Sequence, residues 1–214
     1  MSGDLPAAPQ RASHGAPRGR GRARNRAERR AMMLDAAEEV IVEQGLAQTR
    51  TADVAQAAGV SNGTLLYQFG TLDALLAEAL ARAEQRFCDR AVAAAGAATG
   101  EDPRRRLERL VEWLFATDPE TRRLWRLWLE TWSVARWNPL IATARQTQDA
   151  RWRGILADIV ADLGLSEERA TAFTAGFAAL VDGLAVQVAL DDSAVTPETA
   201  RELALAYAVA DLGN

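Results

Sequence analysis

The chain has 214 residues, 49% of them hydrophobic and 25% charged, which is enough to bury a core in one or two domains. One cysteine (Cys88) and one histidine (His14) leave no internal disulfide, metal-ligand cluster or nucleophile–base pair, so we expect no catalytic residue, no cofactor and no metal. No apolar run of about 18 residues predicts a membrane span and no signal-peptide pattern is present, so a cytoplasmic protein without a membrane partner is expected.

The net charge of −4 conceals a basic N-terminal segment. Residues 1–30 carry a local charge of +6, all of the cations being arginine, and the remaining residues carry −10. A basic end on an acidic body indicates contact with nucleic acid at that end. Residues 1–25, rich in Pro, Gly, Ala and Arg, are expected to be disordered alone. They are either an arm for the DNA minor groove or a solvated extension.

Residues 26–71 are predicted to form a helix-turn-helix domain. A first helix is expected over about 26–44, and residues 51–69 then contain two short helices around a tight turn. Thr51 is expected to cap the first of these, Gly59 to end it, and Ser61 to cap the second. Leu65, Leu66 and Phe69 are expected to form the apolar side of that second helix. In this arrangement the second helix lies in the DNA major groove.

The exposed side of the recognition helix is predicted to read the DNA. Asn and Gln can contact adenine, and Thr can meet a thymine methyl group or a phosphate. The start of the preceding helix is placed to hold phosphate, because a helix N-terminus carries a positive partial charge. For Gln68 an ordinary solvated role is an open alternative. The predicted DNA-binding residues are Arg50, Thr51, Ser61, Asn62, Gly63, Thr64, Tyr67 and Gln68.

Six further helices are predicted in residues 72–214, which gives an all-α fold of about nine helices. Alanine and leucine dominate this segment and favour helix. The starts of helices are marked by capping residues followed by proline, and their ends by glycine. The predicted helices cover about 72–95, 103–116, 119 onward, 139–163, 167–190 and 197–212.

Six tryptophans between residues 113 and 152 indicate either a large aromatic core or the wall of a ligand pocket. Each individual tryptophan could instead be an ordinary core residue. Small-molecule sites are mostly apolar with a few polar groups, so the expected effector is largely apolar or compatible with aromatic walls. The predicted ligand-binding residues, between helices five and eight, are Trp113, Phe115, Trp128, Trp132, Phe173 and Phe177.

The helix-turn-helix segment resembles the TetR family of bacterial transcriptional regulators, through Gly59-Val60-Ser61, Gly63-Thr64-Leu65, Phe69 and Leu75-Leu76. The resemblance covers about residues 29–80. It implies an all-helical homodimer with an N-terminal reading domain and a C-terminal domain for effector binding and dimerisation. Leu66 stands where the family usually has tyrosine, and Leu72 where it usually has lysine, which removes an expected phosphate contact.

Residues 85–212 are similar to the C-terminal domain of BetI-type members of that family. The similarity rests on Leu127-Trp128 with Trp132, on Arg151-Trp152 and on the run from Leu180 to Leu184. It brings a quaternary ammonium effector into consideration, since tryptophan faces attract such cations. Asp182 in that run is either a buried polar group or a ligand contact.

Helices eight and nine are the expected dimer interface. Small residues on helix eight allow close approach of a second copy, and two hairpins would form a four-helix interface with two-fold symmetry. Intramolecular packing is the alternative for some of these positions. The predicted interface residues are Ala172, Gly176, Ala179, Leu180, Gly183, Leu203 and Tyr207.

The function expected from these features is a ligand-responsive transcriptional regulator, most simply a repressor released from a palindromic double-stranded DNA operator by a small molecule. A helical enzyme and an architectural DNA-binding protein are the alternatives. Turnover of a substrate would support the former, and DNA binding without any ligand response the latter.

Overall fold

The structure, a computed structural model, describes residues 18–96, 101–190 and 194–212. Within these ranges the chain forms nine α-helices and one short 3-10 turn, with no β-strand, which confirms the predicted all-α class. The elements are α1 Arg18–Gln44, the 3-10 turn Leu46–Gln48, α2 Thr51–Ala57, α3 Asn62–Phe69, α4 Leu72–Ala95, α5 Pro103–Leu114, α6 Pro119–Ala135, α7 Pro139–Ala161, α8 Glu167–Ala189 and α9 Pro197–Leu212.

Helix starts follow the capping chemistry that the sequence predicts. Ser61 accepts the Thr64 N–H, Thr71 accepts the Ala74 N–H, and Asn138 accepts the N–H groups of the first turn of α7. Proline opens α5, α6 and α7, where its missing N–H costs nothing. Gly59 has φ 63°, a left-handed conformation that closes the turn between α2 and α3.

Two helix starts differ from the prediction. Helix α1 begins at Arg18 rather than near residue 26, so residues 18–25 are helical, while residues 1–17 lie outside the described part. Arginine and alanine are good helix formers, and the Arg24–Glu28 ion pair, 2.8 Å one turn apart, supports the extension. The cap of α2 is Arg50, not Thr51, because the Asp53 carboxylate accepts the Arg50 N–H at 3.2 Å, and the helix therefore starts at Thr51, one residue earlier than predicted.

Two hydrophobic cores divide the molecule into a head and a body. The head comprises α1, α2, α3 and the first two turns of α4, whose core contains Met33, Val54, Leu65 and Phe69 among others. The body comprises the rest of α4 and α5–α9. Helix α4 contributes to both cores, with Leu75 and Ala79 in the head. Helix α4 therefore connects the two cores.

Helix α8 is the one described helix whose length and hydropathy would suffice to cross a membrane. Its Phe173, Phe177 and Val181 are buried against the rest of the body. The core helix of a soluble protein satisfies the same length and composition criteria, so the helix is weak evidence for a membrane span.

Candidate DNA-binding and effector sites

The recognition helix α3 presents a short polar surface. Asn62, Gly63 and Thr64 are all exposed in its first turn, beside the capping Ser61. The Ser61 and Thr64 hydroxyls lie 2.9 Å apart, and the Thr64 N–H donates to Ser61 Oγ at 3.1 Å. The cap and the reading surface are thus one hydrogen-bonded unit. A Cβ at Gly63 would meet only the Ser61 hydroxyl at 3.9 Å, so the helix has open space here for close approach to a groove.

Tyr67 and Leu66 of α3 are both exposed, although Leu66 was predicted to face the core. Tyr67 is 86% exposed, which leaves its hydroxyl free to reach a phosphate, while Leu66 is 40% exposed and does not serve the core as predicted. The reason is the helical period: Leu65 and Phe69, four residues apart, share the buried face, and Leu66 is turned about 100° away.

Arg30 fixes the recognition helix against the rest of the head. Its guanidinium donates to the Gln68 carbonyl at 2.8 Å, pairs with Glu78 on α4, and lies 4.2 Å from the centre of the Phe69 ring. One side chain from α1 therefore ties together α3 and α4. Arg30 therefore stabilises the head, a role that the sequence analysis did not assign to it.

A basic groove formed by Asn25, Arg26, Arg29 and Gln68 lies beside the recognition helix. Arg26 and Arg29 have no carboxylate partner in the described part of the chain, and both are exposed. Gln68 lines this groove. Arg26 and Arg29 lie in the part of α1 that was predicted to be helical, and the earlier start of the helix adds Asn25 to the groove.

The body contains an aromatic cluster made of Phe87, Trp113, Trp125, Trp128 and Trp152. The Phe87 ring is at its centre, with ring centroids 5.0 Å from Trp113, 5.4 Å from Trp125 and 5.9 Å from Trp152. Trp128 joins through an edge-on contact with Trp125 at 5.1 Å. The indole N–H groups of Trp113 and Trp152 are buried and have no acceptor among the described residues.

Glu84 is a buried carboxylate at the edge of this aromatic cluster. It lies on α4, 5% exposed, and lines a cavity with Phe87, Trp128, Thr131 and Gln148. Its Oε1 has no hydrogen-bond partner among the described residues. Burial of this carboxyl group raises its pKa to about 7. An unsatisfied buried acid is costly to keep, and such groups concentrate at functional sites.

The surroundings of Glu84 favour a positive charge. The closest cation, Arg151, is 3.9 Å away and 45% exposed, which is beyond hydrogen-bond reach. Asp149 raises the pKa of Glu84 further and is itself paired with Arg145 at 2.7 Å. Burial, with a contribution from Asp149, also raises the pKa of Asp182 to about 6. Arg151 lowers the pKa of Glu84, and Arg145 and Arg153 lower that of Asp182, but burial outweighs these cations at both carboxyl groups.

The six aromatic residues predicted to line one cavity lie in separate places. Trp113 and Trp128 belong to the aromatic cluster, and Phe115 lines a different cleft. Trp132 contacts Trp128 with ring centroids 5.1 Å apart, but it is 45% exposed and lies beneath the Arg145 guanidinium. Phe173 and Phe177 stack on each other at 5.4 Å and pack against Tyr207. Helical spacing put these rings on suitable faces, but the packing of α8 against α9 takes the two phenylalanines into the core.

The second cleft, which we call the arginine cleft, lies between α5, α6, α8 and α9. Its volume is about 270 Å³. Its walls are mainly apolar and two arginines stand at its edge. It is lined by Leu114, Phe115, Ala116, Arg122, Trp125, Arg126, Ala185, Val188, Ala189, Val195, Thr196 and Pro197.

Helix α6 connects the body to the head at two points. Arg123 donates to Glu38 on α1 at 3.3 Å, and Glu38 is fully buried and also paired with Arg86 on α4. Two turns further along, the Glu130 carboxylate accepts the Leu46 N–H at 2.7 Å, at the start of the 3-10 turn. Trp128 and Thr131, which line the Glu84 cavity, flank Glu130 in the same helix.

The predicted interface positions on α8 and α9 divide into two groups. Four of them are exposed in the single chain and so remain available for contact with a second copy: Ala172, Ala179, Gly183 and Leu203. Gly176 and Tyr207 contact each other within the chain, and Leu180 is partly buried against the body core. The absence of a side chain at Gly176 is what lets the Tyr207 hydroxyl lie against α8.

Sequence reasoning did not single out Glu84, Phe87 or Gln148, nor Arg26 and Arg29 as a positioned pair. One signal was available for Glu84. Leu76, Leu80, Glu84 and Cys88 follow each other at intervals of four along α4, so a charged residue interrupts an apolar stripe. The groove beside α3 had no such local signal, because it depends on how α1 crosses α3.

Both parts of the chain match known families. Residues 33–79 match the family described as "Bacterial regulatory proteins, tetR family", and residues 103–213 match that described as "BetI-type transcriptional repressor, C-terminal". An HTH-type transcriptional regulator BetI from Burkholderia thailandensis is 34% identical over 181 residues, which are 84% of this chain and 91% of that protein.

Solved structures are similar over the same extent. A transcriptional regulator from Saccharomonospora viridis in complex with choline superposes with a TM-score of 0.74 at 30% identity, over 85% of this chain and 95% of its own. The multidrug binding protein EbrR complexed with imidazole superposes with a TM-score of 0.60 at 26% identity, over 84% and 94% of the two chains. Both of these structures contain a small organic molecule.

Proposed function

The chain belongs to the BetI-type branch of the TetR family of transcriptional regulators, and from this premise we propose that it is a cytoplasmic homodimeric repressor released from a palindromic operator by a small organic cation. The family comprises DNA-binding regulators rather than enzymes. The observation that carries the proposal is Glu84, a buried carboxylate beside the aromatic cluster, whose Oε1 has no hydrogen-bond partner in the described part of the chain.

The chemistry of the Glu84 cavity suits a compact quaternary ammonium group. Aromatic faces attract such cations, by about 0.5–2 kcal/mol per ring depending on desolvation, and Phe87 and Trp128 both line the cavity. A cation beside Glu84 would also compensate the cost of its burial. The choline bound to the relative from Saccharomonospora viridis is a molecule of this class and supports the assignment.

The size of the cavity connects binding to release. Its volume is about 10 Å³, room for roughly one water molecule, so an organic cation enters only when the lining helices separate. Those helices include α4 and α6, which both reach the head. A ligand that binds the opened body more tightly than the closed one shifts the protein away from the state seen here. We assign this closed state to DNA binding.

Dimerisation through the exposed strip of α8 and α9 would place two recognition helices on one face. Two-fold symmetric heads read half-sites about one helical turn of DNA apart, roughly 34–36 Å. Asn62 and Thr64 would contact bases, with Arg50, Thr51 and Tyr67 on the phosphates and the basic groove on the flanking backbone.

Calorimetric titration with choline tests the effector site. The wild-type dimer should bind choline and should not bind 3,3-dimethylbutan-1-ol, its uncharged isostere, at the same concentration. Glu84→Gln keeps the shape and removes the charge, so it should weaken choline binding at least tenfold. Asp89→Asn, an exposed change on the same helix, is the matched control. Unchanged choline affinity in Glu84→Gln would show that the cation site lies elsewhere.

Selection of genomic DNA fragments with purified protein at about 150 mM salt tests the DNA site. We expect one enriched motif with two-fold symmetry, and loss of its binding in the Asn62→Ala/Thr64→Ala double variant. The Thr64 N–H remains available to Ser61 in that variant, so the cap and the fold should persist. Retained operator affinity would contradict the recognition-helix assignment, and broad enrichment without a motif would favour the architectural alternative.

A further inference from the structure

We propose that the arginine cleft is a second ligand site, separate from the Glu84 cavity, and that it binds an organic anion consisting of a carboxylate group and an apolar body. The cleft is open in this conformation, with a volume of about 270 Å³ that is close to the lower end of the roughly 300–1,000 Å³ typical of small-molecule sites. No ligand need separate the helices to enter it. It therefore differs from the Glu84 cavity in volume as well as in charge.

Two arginines define the polar end of the cleft. Arg122 and Arg126 are one turn apart on α6, a spacing that brings their Cβ atoms to about 5–6 Å. Within the described ranges neither side chain has an ion-pair or hydrogen-bond partner, whereas Arg123 between them is committed to Glu38. Two unpaired guanidinium groups on one helix face can both donate to a single carboxylate.

The rest of the cleft is apolar. Leu114, Phe115 and Trp125 are buried on one side, and Ala185 and Val188 on α8 close the other. The Trp125 indole N–H is already bound to the Leu114 carbonyl at 2.7 Å, so this wall offers a ligand contact area rather than hydrogen bonds. A ligand that fits has its charge at one end only, which selects monocarboxylates with an alkyl or aromatic body.

The charge of the cleft also excludes the cation proposed for the Glu84 cavity. An ammonium group beside Arg122 and Arg126 would meet like charge without a compensating carboxylate in the described lining. The two cavities thus take ligands of opposite sign. Trp125 lies between them, because it lines the arginine cleft and its ring contacts Phe87 and Trp128.

Calorimetric titration with octanoate tests the site, with octan-1-ol as the uncharged comparison. We expect the wild-type dimer to bind octanoate, and the Arg122→Gln/Arg126→Gln double variant to bind it at least tenfold more weakly. Arg105→Gln removes an exposed arginine of α5 outside the cleft and should leave the affinity unchanged. Ala185→Phe, which fills the apolar end, should also abolish binding, with circular dichroism verifying the fold.

Three results would overturn the proposal: no octanoate binding by the wild type, equal affinity in the double variant, or equal binding of octan-1-ol. The same double variant should retain its affinity for choline, since neither arginine lines the Glu84 cavity. Failure of the anion site is therefore distinguishable from failure of the cation site.

Discussion

Replacement of Glu38 with glutamine should destabilise the fold by about 2–4 kcal/mol. The Glu38 side chain is 1% exposed and accepts from Arg86 on α4, Nη1 to Oε1 at 3.1 Å, and from Arg123 on α6, Nη2 to Oε2 at 3.3 Å. Removing one partner of a buried ion pair costs about 3–5 kcal/mol, because the other charge stays buried and unpaired. The cost should lie toward the lower end, since both arginines keep some contact with water and Glu120 is 3.7 Å from Arg86.

A matched control lies on the same two helices. Asp35 on α1 pairs with Arg82 on α4 at 2.8 Å, but its side chain is 52% exposed. Exposed pairs contribute about 0–1 kcal/mol, so Asp35→Asn should have a small effect. Urea unfolding of both variants at one fixed dimer concentration gives the two changes in free energy of unfolding. If the two substitutions cost the same within about 0.5 kcal/mol, the distinction drawn here between the buried and the exposed pair is wrong.

Three further predictions concern pH, packing and coupling. Burial raises the pKa of Glu84 from 4.5 to about 7, so between these pH values the folded state binds a proton that the unfolded chain has released. The free energy of unfolding should therefore fall as pH rises from 4.5 to about 7, and it should fall less steeply in Glu84→Gln. Gly176→Ala places a Cβ against the Tyr207 hydroxyl and should be roughly 1–3 kcal/mol less stable by urea unfolding than Gly154→Ala, which has open space and gains helix propensity. Glu130→Gln weakens the hydrogen bond to the 3-10 turn, and fluorescence anisotropy should show operator binding that is less sensitive to choline, while a coupling unchanged from wild type would place the connection elsewhere.

Features that depend on neighbouring residues could be predicted from the sequence. The caps at Ser61 and Asn138 and the left-handed Gly59 follow from side chains and dihedral angles within a few residues. The helix-turn-helix is specified in this local way, which is why its bounds agree within about a residue. The start of α1 was missed because composition suggested a disordered segment, although its arginines and alanines individually favour helix.

Features that depend on how helices cross could not be predicted in the same way. Trp113 and Trp128 do belong to one cluster, but Phe173 and Phe177 pack against α9, which no helical period reveals. Glu84 has the character of a site only because tertiary packing removes water from its carboxylate and supplies no donor to Oε1. The sequence indicated that the body is rich in aromatic residues, but only the packing of its helices places the Glu84 carboxylate beside them.

The position of α6 connects the proposed effector cavity to the head. Trp128 and Thr131 of α6 line the closed cavity, and Glu84 of α4 lines its other side, so opening the cavity moves one or both helices. Helix α6 is held to α1 by Arg123 and to the 3-10 turn after α1 by Glu130, while α4 continues directly into the head core. To shift such a closed state from 99:1 to 1:99 a ligand must favour the open state by about 5.5 kcal/mol. The contacts of the cation with Glu84 and with two aromatic rings can supply that difference only if they form in the open state and not in the closed one. The closed cavity is too small for the ligand, so this condition is met.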